Sequence, residues 1–147
     1  MKTTSICAVL FAFAFGSELR GENMNKALFV SEVISDLNRA QPSWTDGYEY
    51  TREFSKATNL VAEVQSLERG MSTNIVTSVC GEPDIKSKWR GKSSETPIRV
   101  KYVYYLRRKN SGSVNMKDQY LGFYFSESGE LDSAIYPKGT RVFTVDF

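Results

Sequence analysis

Residues 98–109 read IRVKYVYYLRRK, and this run decides the fold. β-branched and aromatic residues dominate it, and neither glycine nor proline interrupts it. A period of two places Val100, Tyr102, Tyr104 and Leu106 on one face. Arg99, Lys101, Val103, Tyr105 and Arg107 fall on the other. That pattern predicts a long strand. Downstream, residues 110–115 (NSGSVN) form a loop and 119–126 a second strand, with Leu121, Phe123 and Phe125 on one face. Residues 127–130 (ESGE) form a tight turn in which Gly129 supplies a positive φ. Residues 131–136 return with Leu131, Ser133 and Ile135 aligned, and a final strand follows Pro137 and Gly139 at 141–147. Upstream, 91–97 (GKSSETP) is a polar turn and 85–90 a first strand.

Before Asp84 the period is helical. Ser72 or Thr73 caps a short helix with Ile75, Val76, Val79 and Cys80 on its apolar face; Gly81 ends it and Pro83 prevents continuation. A longer helix starts at a Thr51 cap, buries Phe54, Ala57, Val61, Val64 and Leu67, and stops at Gly70. Residues 22–39 predict another, with Ala27, Val30, Val33, Ile34 and Leu37 inward and Pro42 as its stop. The loop at 41–50 between them is rich in aromatics: Trp44, Tyr48 and Tyr50. Helices followed by consecutive hairpins predict an α+β fold, with two to three N-terminal helices on one face of a three- to five-stranded antiparallel sheet.

Residues 1–17 read as a secretory signal peptide: Lys2, then the apolar run ICAVLFAFAF at 6–15, then small residues at Ala14 and Gly16. The run is too short to span a bilayer, which takes about 20 residues. Cys7 lies inside it, which leaves Cys80 as the one mature cysteine and predicts no disulfide framework. The expected division is 1–17 signal, 18–50 helix and aromatic loop, and 51–147 the α+β domain. The expected location is periplasmic or secreted, including a peripheral place at the outer membrane, with no transmembrane segment once the signal is removed.

The 147 residues carry 19 Lys+Arg against 17 Asp+Glu, a net charge of +2, which is not the clustered basicity of a nucleic-acid binder. Histidine is absent, so imidazole-based nucleophile activation and histidine-ligated zinc are excluded. Nucleophile-elbow, phosphate-loop and paired-cysteine motifs are missing too. Glu127, Glu130 and Asp132 cluster at a turn, where solvent is expected to keep them ionised. A non-enzyme without metal or cofactor is expected.

A resemblance sharpens this expectation. Leu67 to Ser72 (LERGMS), Ile75-Val76 and Cys80 to Asp84 (CGEPD) are followed by an aromatic strand at 102–105 and by Gly122–Phe125 and Gly129-Glu130-Leu131. In order and spacing this resembles the SmpA/OmlA family, whose founding member is the small lipoprotein subunit of the outer-membrane β-barrel assembly machine. The resemblance implies two helices on a three-stranded antiparallel sheet, related to the β-lactamase inhibitor protein fold. Gly70, Ser72, Gly81 and Pro83 are its structural motif. It implies work by binding: to envelope proteins, to anionic lipid, or in the inhibitor branch to an enzyme. The lipid-attachment cysteine of that family has no counterpart here.

Two basic clusters are candidate binding elements. Lys86 to Lys92 (KSKWRGK) contributes Trp89 and Arg90, and the end of the long strand contributes Arg107 and Arg108. Trp44 and Tyr48 are the next candidates. The expected function is an envelope binding or scaffold module, with inhibition of a periplasmic or secreted hydrolase as the alternative.

Overall fold

The computed structural model describes residues 20–90, 95 and 98–147. The expected signal segment at 1–17, and all of the 91–97 turn but Glu95, lie outside the described residues. The order of elements is β1 (Arg20–Met24), α1 (Lys26–Ala40), β2 (Tyr50–Thr51), α2 (Phe54–Ala62), α3 (Thr73–Cys80), β3 (Ile85–Trp89), β4 (Arg99–Arg108), β5 (Gln119–Phe125), β6 (Leu131–Lys138) and β7 (Arg141–Asp146). The fold is α+β, and its sheet is larger than expected: among the described residues it has seven strands in the order β1-β7-β6-β5-β4-β2, with β3 also paired to β4. It is mixed rather than purely antiparallel, because β1 runs parallel to β7 from Arg20↔Arg141 to Met24↔Val145.

β1 corrects the first expected helix. Glu22 and Met24 are in a strand, and α1 starts at Lys26 behind an Asn25 cap whose side chain accepts the Leu28 N–H. Phe29, Val33 and Leu37 are its buried stripe, and Ala27 is exposed. Thr51 is no cap either. It pairs with Arg107 in β2, and α2 begins at Phe54 without a side-chain cap. α2 ends at Ala62 and tightens into a 3₁₀ turn, Glu63–Ser66, which still buries Val64.

β2 and β3 lie end to end along one edge of β4, with β5 on its other edge. Asp84 and Arg52 fill the seam between them. Asp84 Oδ2 accepts the Tyr105 N–H at 2.6 Å and a guanidinium N–H of Arg52 at 3.0 Å; the Arg52 Nε donates to the Tyr105 carbonyl at 3.0 Å. Ladder groups that neither short strand reaches are thus satisfied.

Buried apolar residues form two groups. The larger unites Phe29, Val33 and Leu37 of α1, Ala57, Leu60 and Val61 of α2 and Val76 of α3 with Tyr104, Leu121, Phe123, Tyr136 and Phe143 of the sheet. Each large side chain buried there is worth about 1.5–3 kcal/mol over leaving it exposed. The second, Val103, Tyr105, Tyr120, Tyr124, Ile135 and Val142, comes from strands alone. Two β-bulges decide who joins which group. Between Tyr105 and Arg107 the register of β4 shifts, so Arg107 turns to the same side as Leu106 and leaves the face of Tyr105. Between Tyr124 and Phe125 the β5–β6 register shifts, with Asp132 the extra residue. Leu131 therefore joins the larger group and Ile135 the second, which corrects the expected alignment of Leu131, Ser133 and Ile135.

Lys101 lies on the face of the second group and is 5% exposed. Its ammonium sits 5.2 and 5.3 Å from the ring centroids of Tyr120 and Tyr124. Gly122, between those tyrosines in β5, makes room for the stem: a Cβ there would stand 3.2 Å from Lys101 Cε and 3.0 Å from Ile135 Cγ1. Burial pushes the Lys101 amine from 10.5 down to about 7.

Candidate functional site

Arg107 and Trp44 are brought together, but as a closed packing unit. Trp44 is buried, donates its indole N–H to the Arg52 carbonyl at 2.7 Å, and meets Phe54 edge-on at 5.1 Å. The Arg107 guanidinium lies between two rings, 4.7 Å from the Trp44 centroid and 4.2 Å from that of Tyr48. It also donates to Gln119 Oε1 at 2.7 Å and to the Trp44 carbonyl at 3.3 Å. This flat, fork-shaped cation suits a stacked, hydrogen-bonded slot. The aromatic loop thus folds back onto the end of β4. Arg108 points to the other side and stacks on Tyr105 at 4.6 Å. Lys109 donates to the Gly47 carbonyl and lies 5.1 Å from the Tyr48 centroid.

The other basic cluster stands at the sheet edge. β3 is antiparallel to β4 in the register Ile85↔Val103, Lys86↔Tyr102, Ser87↔Lys101, Lys88↔Val100 and Trp89↔Arg99. Directly opposed residues share a face. Lys86 and Lys88 therefore stand on the side of Tyr102 and Val100, which pack with the helices, and the Lys86 ammonium lies 5.5 Å from the Tyr102 ring centroid. Ile85, Ser87 and Trp89 stand on the opposite side, where Trp89 meets Tyr124 edge-on at 6.0 Å. Lys86, Lys88 and Arg90 are exposed, and Lys86 forms an ion pair with Glu82 at 3.1 Å. The Glu82 partnership raises the Lys86 pKa. Among the described residues no strand pairs with the outer edge of β3.

The two clusters are held far apart. Trp89 pairs with Arg99 at one end of β4, while Arg107 lies eight residues on, roughly 26 Å along an extended strand. Trp89 with Arg90, and Arg107 with Arg108, do not form one patch.

Two of the surface clefts are formed by described residues. One, of about 220 Å³, is lined by Asp36, Tyr48, Met116, Gln119 and Lys138 among others. Both of its carboxylates are already engaged: Asp36 accepts from the Tyr136 hydroxyl at 2.6 Å, with Arg39 and Lys138 each at 3.4 Å, and Asp118 accepts the N–H groups of Lys109 at 2.7 Å and Asn115 at 3.1 Å. Burial first, and then Asp36, raises the Tyr136 pKa. The other, of about 280 Å³, lies between α2 and α3, with Arg52, Lys56, Glu63 and Cys80 in its lining. Burial pushes the Cys80 thiol up to about 12, so it stays protonated and unreactive at neutral pH. Among the described residues no three Cys, Asp or Glu side chains converge as metal ligands.

The structural motif residues act on the backbone. Ser72 caps α3 by accepting the Ile75 N–H, and Gly81 ends it at φ +83°, ψ −178°. That region is essentially restricted to glycine, and it lies outside the left-handed helical well. Gly70 also has positive φ, and its N–H donates to the Leu131 carbonyl at 3.0 Å, tying the connection after α2 to β6. Pro83 follows at the entry to β3. Asp132 escaped notice as a turn residue. Its side chain is 13% exposed and bridges Arg69 at 2.8 Å and Arg99 at 2.7 Å. Arg99 stands in β4 and Asp132 in β6, with β5 between them, so local sequence carried no signal for the pair. No family model, curated protein or solved structure matches this chain.

Proposed function

We propose that this chain is an exported, non-enzymatic binding module of the bacterial cell envelope, built like an SmpA/OmlA protein, and that it engages a protein partner through the basic edge strand β3. The observation that carries the reading is the contrast between the two basic clusters. Arg107 is closed in by Trp44, Tyr48 and Gln119. Lys86 and Lys88 are exposed along β3, whose outer edge no described strand covers, and Arg90 is exposed just beyond its end. In this reading the helices form a single layer behind the sheet and hold β4 rigid, so that β3 is presented in a fixed register. Such an edge offers both backbone hydrogen bonds and charge, which suits a protein partner better than a lipid headgroup. The resemblance supports the envelope setting, and the SmpA/OmlA mode of action by binding supports the absence of catalysis.

The test is crosslinking in isolated envelopes with wild type and a Lys88→Glu, Arg90→Glu variant, each checked for unchanged folding. A partner captured by wild type and lost by the variant is the expected result. Equal capture by both refutes the role of β3. Binding of wild type but not of the variant to anionic vesicles, with no protein captured, replaces the protein partner by a lipid surface. Recovery of a hydrolase that the chain inhibits favours the inhibitor alternative.

A further inference from the structure

We infer that the occupant of β3 is an extended, acidic segment of a different protein, added as an eighth strand, with carboxylates at every second position. The inference rests on the binding-module reading and specifies its partner. It follows from three features of β3.

The first is the edge. Strand addition uses the unpaired backbone donors and acceptors of an edge strand. Sheets usually defend such edges with charge, bulges or prolines. β3 has a regular five-residue register to β4, with no bulge and no proline, so among the described residues charge is the defence it carries. A charged edge repels like-charged strands and admits complementary ones.

The second is alternation. Lys86 and Lys88 share one face, two residues apart, which is roughly 7 Å in a strand. Only an extended partner presents side chains at that repeat on a single face, because helix residues two apart diverge. The opposite face carries Ile85, 36% exposed, and Trp89. The matching segment therefore alternates: acidic toward the lysines, apolar toward Ile85 and Trp89. Lys86 already attracts Glu82, both side chains more than half exposed. That exposed pair is a weak internal competitor that an incoming carboxylate displaces readily.

The third is what the register excludes. Antiparallel pairing of β3 with β3 of a second copy sets lysines against lysines on the same face, where like charges directly opposite repel, and parallel pairing of the same edges flips one copy and sets its Ile85, Ser87 and Trp89 beside the lysines, with no carboxylate to meet them. The partner is thus heterotypic.

The probe is a fluorescent nine-residue peptide of alternating Glu and Val, titrated into the full chain. Controls are a peptide of the same composition with its glutamates in one block, and two alternating peptides N-methylated at odd or at even positions. The alternating peptide is expected to bind, with amide shifts concentrated in β3. The block peptide should bind at least about tenfold more weakly, and so should one of the two methylated peptides. Lys88→Glu should weaken the alternating peptide by a similar factor. Equal binding of the block peptide, or of both methylated peptides, overturns strand addition; absence of binding overturns it too. If the peptide fails while envelope crosslinking still depends on Lys88 and Arg90, the module reading survives and the mode of binding is a different one.

Discussion

Replacing Lys101 by methionine keeps an unbranched stem out to Cε in its furrow and removes the amine with its proton chemistry. In the native protein the amine titrates at about 7, against 10.5 when free. That gap corresponds to about 5 kcal/mol between charging Lys101 inside the fold and in the unfolded chain, an upper figure for a buried group. The sign is fixed by proton counting. Between pH 7 and 10.5 the unfolded chain holds a proton that the native chain has released, so native stability rises with pH by about 1.4 kcal/mol per pH unit. Below pH 7 both states are protonated, and the full cost of the buried charge is present. Above pH 9 an opposing effect begins, because the Cys80 thiol ionises near 9.0 when free but only at about 12 in the fold. The clean window is therefore about pH 7.5 to 9, where wild type should gain about 2 kcal/mol. Urea melts followed by tryptophan fluorescence at half-unit pH steps measure this. Lys101→Met should flatten the profile in that window, and at pH 7 the variant should be more stable than wild type by several kcal/mol or so. Parallel profiles for the two proteins would refute the reasoning, since the slope would then belong to other groups.

Gly81→Val should lower stability by about 1–3 kcal/mol, read as a shift in the denaturant midpoint, because its φ and ψ suit glycine. No atom lies within 4 Å of the Cβ position, so the loss is one of backbone conformation and Gly81→Ala should show most of it. Asp132→Asn should cost about 2–4 kcal/mol, since Arg99 loses its carboxylate while its side chain is 13% exposed; Arg69→Ala should cost under about 1 kcal/mol, because that arginine is 62% exposed. Melts of the two variants side by side separate the buried pair from the exposed one.

The strands legible in the sequence were those carrying their own pattern. Residues 98–109 alternate strongly, and β4 spans nearly all of them. The hairpin at Gly129 is equally local, with its N–H bonded to the Ser126 carbonyl. β1 was not legible, because Arg20–Met24 (RGENM) has no apolar alternation and is a strand only through its pairing with β7. The stop expected at Pro137 failed for a related reason. β6 runs on to Lys138, since beyond Ile135↔Gly122 only β7 pairs with it, and an edge tolerates proline. The candidate site divided along the same line. A period of two assigned Arg107 to the face of Tyr105, but the bulge turned it toward Trp44 and Tyr48, and composition alone carries no sign of a bulge. Composition marked Trp89 as an outward feature, but the fold half-buries it and sets its ring edge-on to Tyr124.

The parallel ladder of β1 with β7 sets an order of events in biogenesis. Arg20 to Met24 emerge early and wait for Arg141 to Val145, so this part of the sheet cannot close until nearly all the described chain is available. Contacts of such long sequence separation form late and slow folding. If the chain is exported as proposed, this delay keeps the sheet open until late in synthesis. The leading segment leaves its partner strand behind it in the queue, and premature closure before translocation is limited by topology alone. The same wiring makes β7 a latch: trimming residues 141–147 would strip β1 of its neighbour and unseat the first strand from the far end of the sequence.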